Sequence, residues 1–150
     1  MINDFDLLID RLNKLKEETL PKWGIMSCSQ MIFHCNTFIG VSLGERKINL
    51  IIRVFSRVFF RYIFLKHLIS IDFDVYKFEK NSSTLPIFKS FPEIIDFDIE
   101  KNKLIQNLKK VKLISSMKIY HQMYGTIPTI TLKKLVSFHT SYHLNQFGVL

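Results

Sequence analysis

The sequence predicts an all-α fold: a four-helix bundle with one additional helical segment and a long connection between helices two and three. Three observations lead there. Apolar residues recur at three- and four-residue steps in four separate stretches, the period that places them on one helical face. One stretch opens on Ser27-Cys-Ser-Gln30, the pattern of a capping box. The 150 residues, 47% hydrophobic with 14 Phe, fit a single domain over 1–150 with a real core.

In the first helix Phe5, Leu8, Ile9, Leu12 and Leu15 form the apolar face. Asn3 is the expected N-cap with Asp6 three residues on, and Pro21 is the expected end. The second helix follows Ser27, with Met26 and Met31 at the hydrophobic-staple positions around the capping box. Met31, Cys35, Phe38 and Val41 mark its buried stripe, and His34 falls on that stripe. Gly44 closes it.

Residues 48–71 form the most apolar run, but Arg53, Arg57 and Arg61 argue against a membrane span. Each would cost about 2.5–3.5 kcal/mol at a bilayer centre. At i, i+4 and i+8 they make one narrow basic stripe on a greasy helix. Two readings fit: an extra helix packed on the bundle with its arginines in water, or an interfacial helix on anionic lipid. The packed helix is the expectation, because soluble proteins bury such helices more often than they float them.

Residues 72–97 contain Pro86, Pro92 and the polar Lys80–Thr84 patch, so a long irregular connection is expected. Alternation at Ile71, Phe73 and Val75 fits a short extended piece. A third helix runs from about Asp98 to Leu113, with Leu104, Ile105, Leu108 and Val111 inward. A linker containing His121, Gly125 and Pro128 leads to the final helix, from Leu132 to the end. There Leu132, Leu135, Val136, His139, His143 and Phe147 share a face.

Composition narrows the function classes. Two cysteines make no disulfide framework, which points to reduced thiols in the cytoplasm, and the acidic first residues do not read as a secretory signal. Cys35 reads as a buried inert thiol, while Cys28 in a first helical turn is expected to have a somewhat lowered pKa. The net charge of +8 is concentrated in Arg46, Lys47, Arg53, Arg57, Arg61 and Lys66, with no acid between Glu45 and Asp72. Because those arginines sit among Ile, Val and Phe, no nucleic-acid partner is expected. A homodimer fits if one side of this segment is exposed.

Two histidines at i and i+4 on one helical face can chelate one metal ion. His139 and His143 are so spaced, and His34 offers a third nitrogen from the core face of helix two. Three neutral imidazoles would form a facial set for zinc, nickel or iron, leaving positions open for water or substrate.

Trp23-Gly-Ile-Met-Ser-Cys-Ser-Gln-Met-Ile-Phe-His34 resembles the W-G-x-M-S-x-x-Q-M-x-x-H signature of a branch of the DinB-like superfamily. The ending, His139-Thr-Ser-Tyr-His-Leu-Asn-Gln-Phe-Gly148, resembles that branch's H-L-D-H-H-L-R-Q-F-G, and His121-Gln-Met-Tyr-Gly125 its H-P-F-F-G. The resemblance implies a DinB-like four-helix bundle binding a divalent metal through His34, His139 and His143. Tyr142 stands where the family usually shows histidine, Asn145 where it often shows arginine, and Thr129-Ile-Thr131 replaces a Pro-Glu-Glu opening. None of these is a ligand position. His121, Tyr142 and Gln146 are the candidates for ligand-supporting or substrate contacts. The implied activity is a metal-dependent transferase, including thiol transfer, or a hydrolase on a small substrate. The contrasting class is a non-catalytic bundle that binds an anionic surface or partner through residues 46–66.

Overall fold

The structure, a computed structural model, describes residues 4–82 and 84–150. It is mostly helical: α1 Phe5–Asn13, α2 Cys28–Ser42, α3 Leu50–Phe59, a π-helical segment Phe60–Leu65, and α4 Lys66–Ser70. A 3₁₀ turn at Pro86–Phe88 precedes α5 Phe97–Leu113, then strands β1 Lys118–His121 and β2 Gly125–Pro128, then α6 Thr129–Gln146. Helix α2 packs on α5 and α6, α1 packs on both of those as well, and the strands lie against α6.

Helix α1 is capped by Asp4, whose carboxylate accepts the Leu7 N–H at 3.0 Å. The expected cap Asn3 lies outside the described residues. The helix stops at Asn13, well short of Pro21. Lys14 N–H turns back to Arg11 O, and Thr19 Oγ1 takes the Lys16 N–H, so side-chain and turn bonds end it without the proline. Leu15 is buried beyond the helix end.

Helix α2 begins as its sequence predicts. Ser27 Oγ accepts the Gln30 N–H at 3.2 Å, and Gln30 Oε1 accepts the Ser27 N–H at 3.0 Å. It ends in a Schellman motif: Glu45 N–H reaches Gly40 O, Gly44 N–H reaches Val41 O, and Gly44 sits at φ +77°. Burial extends beyond the expected stripe to Ile32, Asn36, Thr37 and Ile39, because α5, α6 and the 3₁₀ turn cover several of its sides.

The segment 48–71 departs from expectation twice. It is not one helix, since the π-helical turns at Phe60–Leu65 separate α3 from α4. Its orientation is also reversed: Ser56 is the buried residue of α3, whereas Ile51, Val54, Phe55 and Val58 are exposed. The arginines are not simply in water. Arg57 meets the Tyr120 hydroxyl, and Arg61 Nη1 donates to Tyr124 O at 2.8 Å. Arginine–hairpin bonds thus join the packing of Ile52, Phe60, Phe64, Leu65 and Leu68 in holding the segment to the body. Among the described residues no helix is long and apolar enough to cross a membrane.

The connection 71–96 is irregular, as expected, but Ile71, Phe73 and Val75 lie in turns rather than an extended piece. Asp72 and Phe73 adopt φ of +50° and +54°, which breaks any strand. Phe73 is buried against Phe138. Helix α5 starts one residue earlier than expected, after Asp96 caps Ile99 N–H at 2.9 Å, and buries Leu104, Leu108 and Val111, with Ile105 partly covered.

The linker before α6 is an antiparallel hairpin, so the fold is not wholly α. Lys118 pairs with Pro128 and His121 with Gly125 around a three-residue loop. Gly125 at φ +69° supplies the left-handed residue that such a loop requires. Four-residue strands are too short to show a convincing two-residue period, which is why the sequence reads as a linker. Gln122 anchors the hairpin to the end of α2, donating to Val41 O and Arg46 O and accepting Ile48 N–H.

Candidate metal centre

The site is built where α2, α6 and the 3₁₀ turn meet. His34 comes from the middle of α2; His139 and His143 come from successive turns of α6. Each residue offers a ring nitrogen, and the three nitrogens lie within 4.8 Å of one another. His34 Nε2 and His139 Nε2 are 3.0 Å apart. In a tetrahedral set at the usual zinc–nitrogen length the nitrogens stand about 3.3 Å apart, so the His34–His139 edge is already near that spacing.

The hydrogen-bond partners decide which nitrogens face the centre. The Phe88 carbonyl can only accept, so His34 carries its proton on Nδ1, 2.8 Å away, and its Nε2 is bare. The amide of Gln146 donates Nε2–H to Trp23 O at 2.8 Å, which turns its Oε1 to accept His143 Nδ1–H at 2.8 Å. His143 is thereby also left with a bare Nε2. His139 stacks on Phe38 with 4.0 Å between centroids, and its buried Nδ1 has no hydrogen-bond partner among the described residues. Three imidazoles so arranged cannot satisfy one another, since His139 can place at most one proton between them. A divalent cation accepts all three lone pairs at once, so the donor set fits one, with the second ring nitrogens of His34 and His143 bonded and that of His139 left without an acceptor among the described residues.

Electrostatics keep the rings ready to coordinate. Burial lowers the His143 pKa to about 3, the nearby His34 ring adds to the shift, and the bond to Gln146 opposes it. Burial lowers His139 well below the ordinary histidine value, with His143 and His34 contributing. His34 is also lowered by burial, against the opposing effect of the Phe88 carbonyl. All three are neutral at pH 7, the form that binds metal.

The imidazoles form part of the wall of a cavity of about 630 Å³. Trp23, Met26, Phe78, Phe91 and Tyr142 are among its apolar lining residues, and Gln30, Asn81, Thr84 and Lys89 provide polar groups. Among the described residues no carboxylate lines it. That volume is in the usual range for small-molecule sites.

The remaining candidate residues divide clearly. Gln146 touches His143 directly. Tyr142 packs edge-on to His143 and donates its hydroxyl to Glu79 O at 3.2 Å. His121 has no place in the site. It is fully buried in the hairpin, its Nδ1 accepts Met123 N–H at 3.1 Å, and its Nε2–H therefore donates to Ser42 Oγ at 3.0 Å. Cys28 corrects its expectation too, because burial raises its pKa to about 11 and outweighs the lowering effect of the nearby Lys101. Cys35 is also buried, with its pKa raised. Two contributors escape sequence reasoning: the main-chain carbonyls of Trp23 and Phe88, which fix the tautomers. Gly24, next to Trp23, had a visible signal as part of the W-G pair. At φ +81°, a Cβ there would stand 2.5 Å from Gln146 Nε2.

Comparison with known proteins gives no matching family model, no matching curated protein and no matching solved structure.

Proposed function

We propose that this chain is a divalent-metal-binding protein of the DinB-like type, a four-helix bundle of α1, α2, α5 and α6. His34, His139 and His143 are the ligands, with zinc or nickel the foremost candidate ions and iron the next. The observation that carries this reading is the convergence of three ring nitrogens, two with their protons held on the far side by carbonyl oxygens.

A divalent ion in this set would supply Lewis acidity, lowering the pKa of water or a thiol toward neutrality. The chain's own residues do the rest. Phe88 O and Gln146 hold the imidazole protons away from the centre. Trp23, Phe78 and Tyr142 offer apolar contact, and Gln30 and Lys89 offer hydrogen bonds, to a bound molecule. With no carboxylate among the described lining residues, a general base is not apparent, so proton transfer would rely on the lowered pKa of the bound group. These features support a metal-dependent transferase or hydrolase acting on a small substrate, thiol transfer included.

Metal analysis of protein purified without a histidine tag tests the reading. About one divalent ion per chain is expected in the wild type and none in His139→Ala. Wild-type protein that is metal-free and takes up no added zinc would rule it out.

A further inference from the structure

We propose that the outward face of α3 docks on an anionic phospholipid surface, independently of the metal centre. The face consists of two adjacent rows at four-residue spacing, Leu50-Val54-Val58 and Ile51-Phe55-Phe59. Their exposure runs from 48% at Phe59 to 78% at Ile51, and Tyr62 extends the surface into the π-helical segment. A continuous exposed apolar surface of this kind marks a protein or membrane contact.

Charge identifies the occupant. Lys47, Arg53, Arg57, Arg61 and Lys66 belong to the same segment as the face, and none pairs with an acid among the described residues, whereas Arg46 turns away to Thr37 and Phe33 on α2. Arg53 and Arg57 follow Leu50 and Val54 by three residues, so the cations border the apolar rows. Arg57 and Arg61 also reach back to Tyr120 and Tyr124 of the hairpin, which sets that border behind the outermost apolar side chains. Apolar groups foremost and cations one step behind match acyl chains below a layer of phosphates. A second copy fits less well, because a two-fold contact would bring the same unpaired cations toward each other.

The test floats the full-length protein with vesicles of phosphatidylcholine alone and of phosphatidylcholine mixed with phosphatidylglycerol. Binding is expected only to the anionic vesicles, and at least about tenfold weaker in 0.5 M than in 0.05 M salt. The Val54→Asp/Val58→Asp double variant should bind at least about tenfold more weakly, with thermal unfolding and metal content unchanged. Lys47→Glu/Arg53→Glu/Lys66→Glu should lose the salt-sensitive part of binding. No wild-type flotation with anionic vesicles, or equal flotation of the aspartate variant, overturns the proposal. So does a dimer that those aspartates dissociate while vesicles remain unbound, which would assign the face to a second copy. Because metal content is read on the same samples, failure here leaves the metal reading intact.

Discussion

His143 and Gln146 are joined by one hydrogen bond, Nδ1–H to Oε1 at 2.8 Å, and that bond decides which nitrogen of His143 faces the cavity. The amide is itself oriented by Trp23 O, so the bend before α2 controls a candidate ligand on α6. Gln146→Leu keeps the three imidazoles but frees the tautomer. A loss of about 10–100-fold in zinc affinity is expected, measured by competition with a chelator. Unchanged affinity would show that His143 does not depend on Gln146.

Gly24→Ala should reproduce that loss from the other end of the chain. The new methyl would occupy the space of Gln146 Nε2, and the residue would be held at φ +81°. The Gln146 side chain can swing aside only by giving up its bond to Trp23. Stability should fall by more than about 1 kcal/mol, read by urea unfolding of the metal-free protein, together with weaker zinc binding. Lost stability with full zinc affinity would separate the bend from the site.

His121 gives the fold a defined pH dependence. Burial lowers its pKa from 6.5 to about 3. Between those values the unfolded chain binds a proton that the folded chain does not. Stability therefore falls with decreasing pH, by up to about 1.4 kcal/mol per pH unit from this one group. His121→Gln should be less stable than wild type at pH 7, through lost bonds to Ser42 and Met123, yet show a shallower slope between pH 7 and 5. Parallel slopes would move the effect to another histidine.

The capping box at Ser27 and Gln30 starts the helix that carries His34. Ser27→Ala should cost about 1 kcal/mol, or about 2–4 °C in Tm. Thermal unfolding in the absence of metal measures it. No shift would mean that solvent replaces the lost acceptor.

Much of the site was legible in the sequence. His34, His139 and His143 stand on helical stripes whose period can be counted, and the capping box and Gly44 set the frame of α2 with side chains of recognisable chemistry. The partners that orient the imidazoles were less so. Phe88 O and Trp23 O are main-chain atoms, and every residue has one, so no residue type announces them. The hairpin was hidden for a different reason: each strand has only four residues, and Gln122 and His121 work through contacts with α2, some eighty positions earlier.

Helix α3 shows where sequence information ends. Its residues alone determine that Val54, Phe55 and Val58 share one face and that Arg53 and Arg57 border it, because spacing in a helix fixes angular position. Which way that face turns was decided by the tertiary structure, through Arg57 on Tyr120 and Arg61 on Tyr124 O, with the apolar rows left outside. The same division holds at the histidine cluster. Helical period put the histidines on their faces, but only the packing of α6 against α2 and the Pro86–Phe88 turn made the three nitrogens converge. Periodicity is a property of one helix, whereas convergence depends on the relative placement of several, and that is set by contacts between residues far apart in the chain.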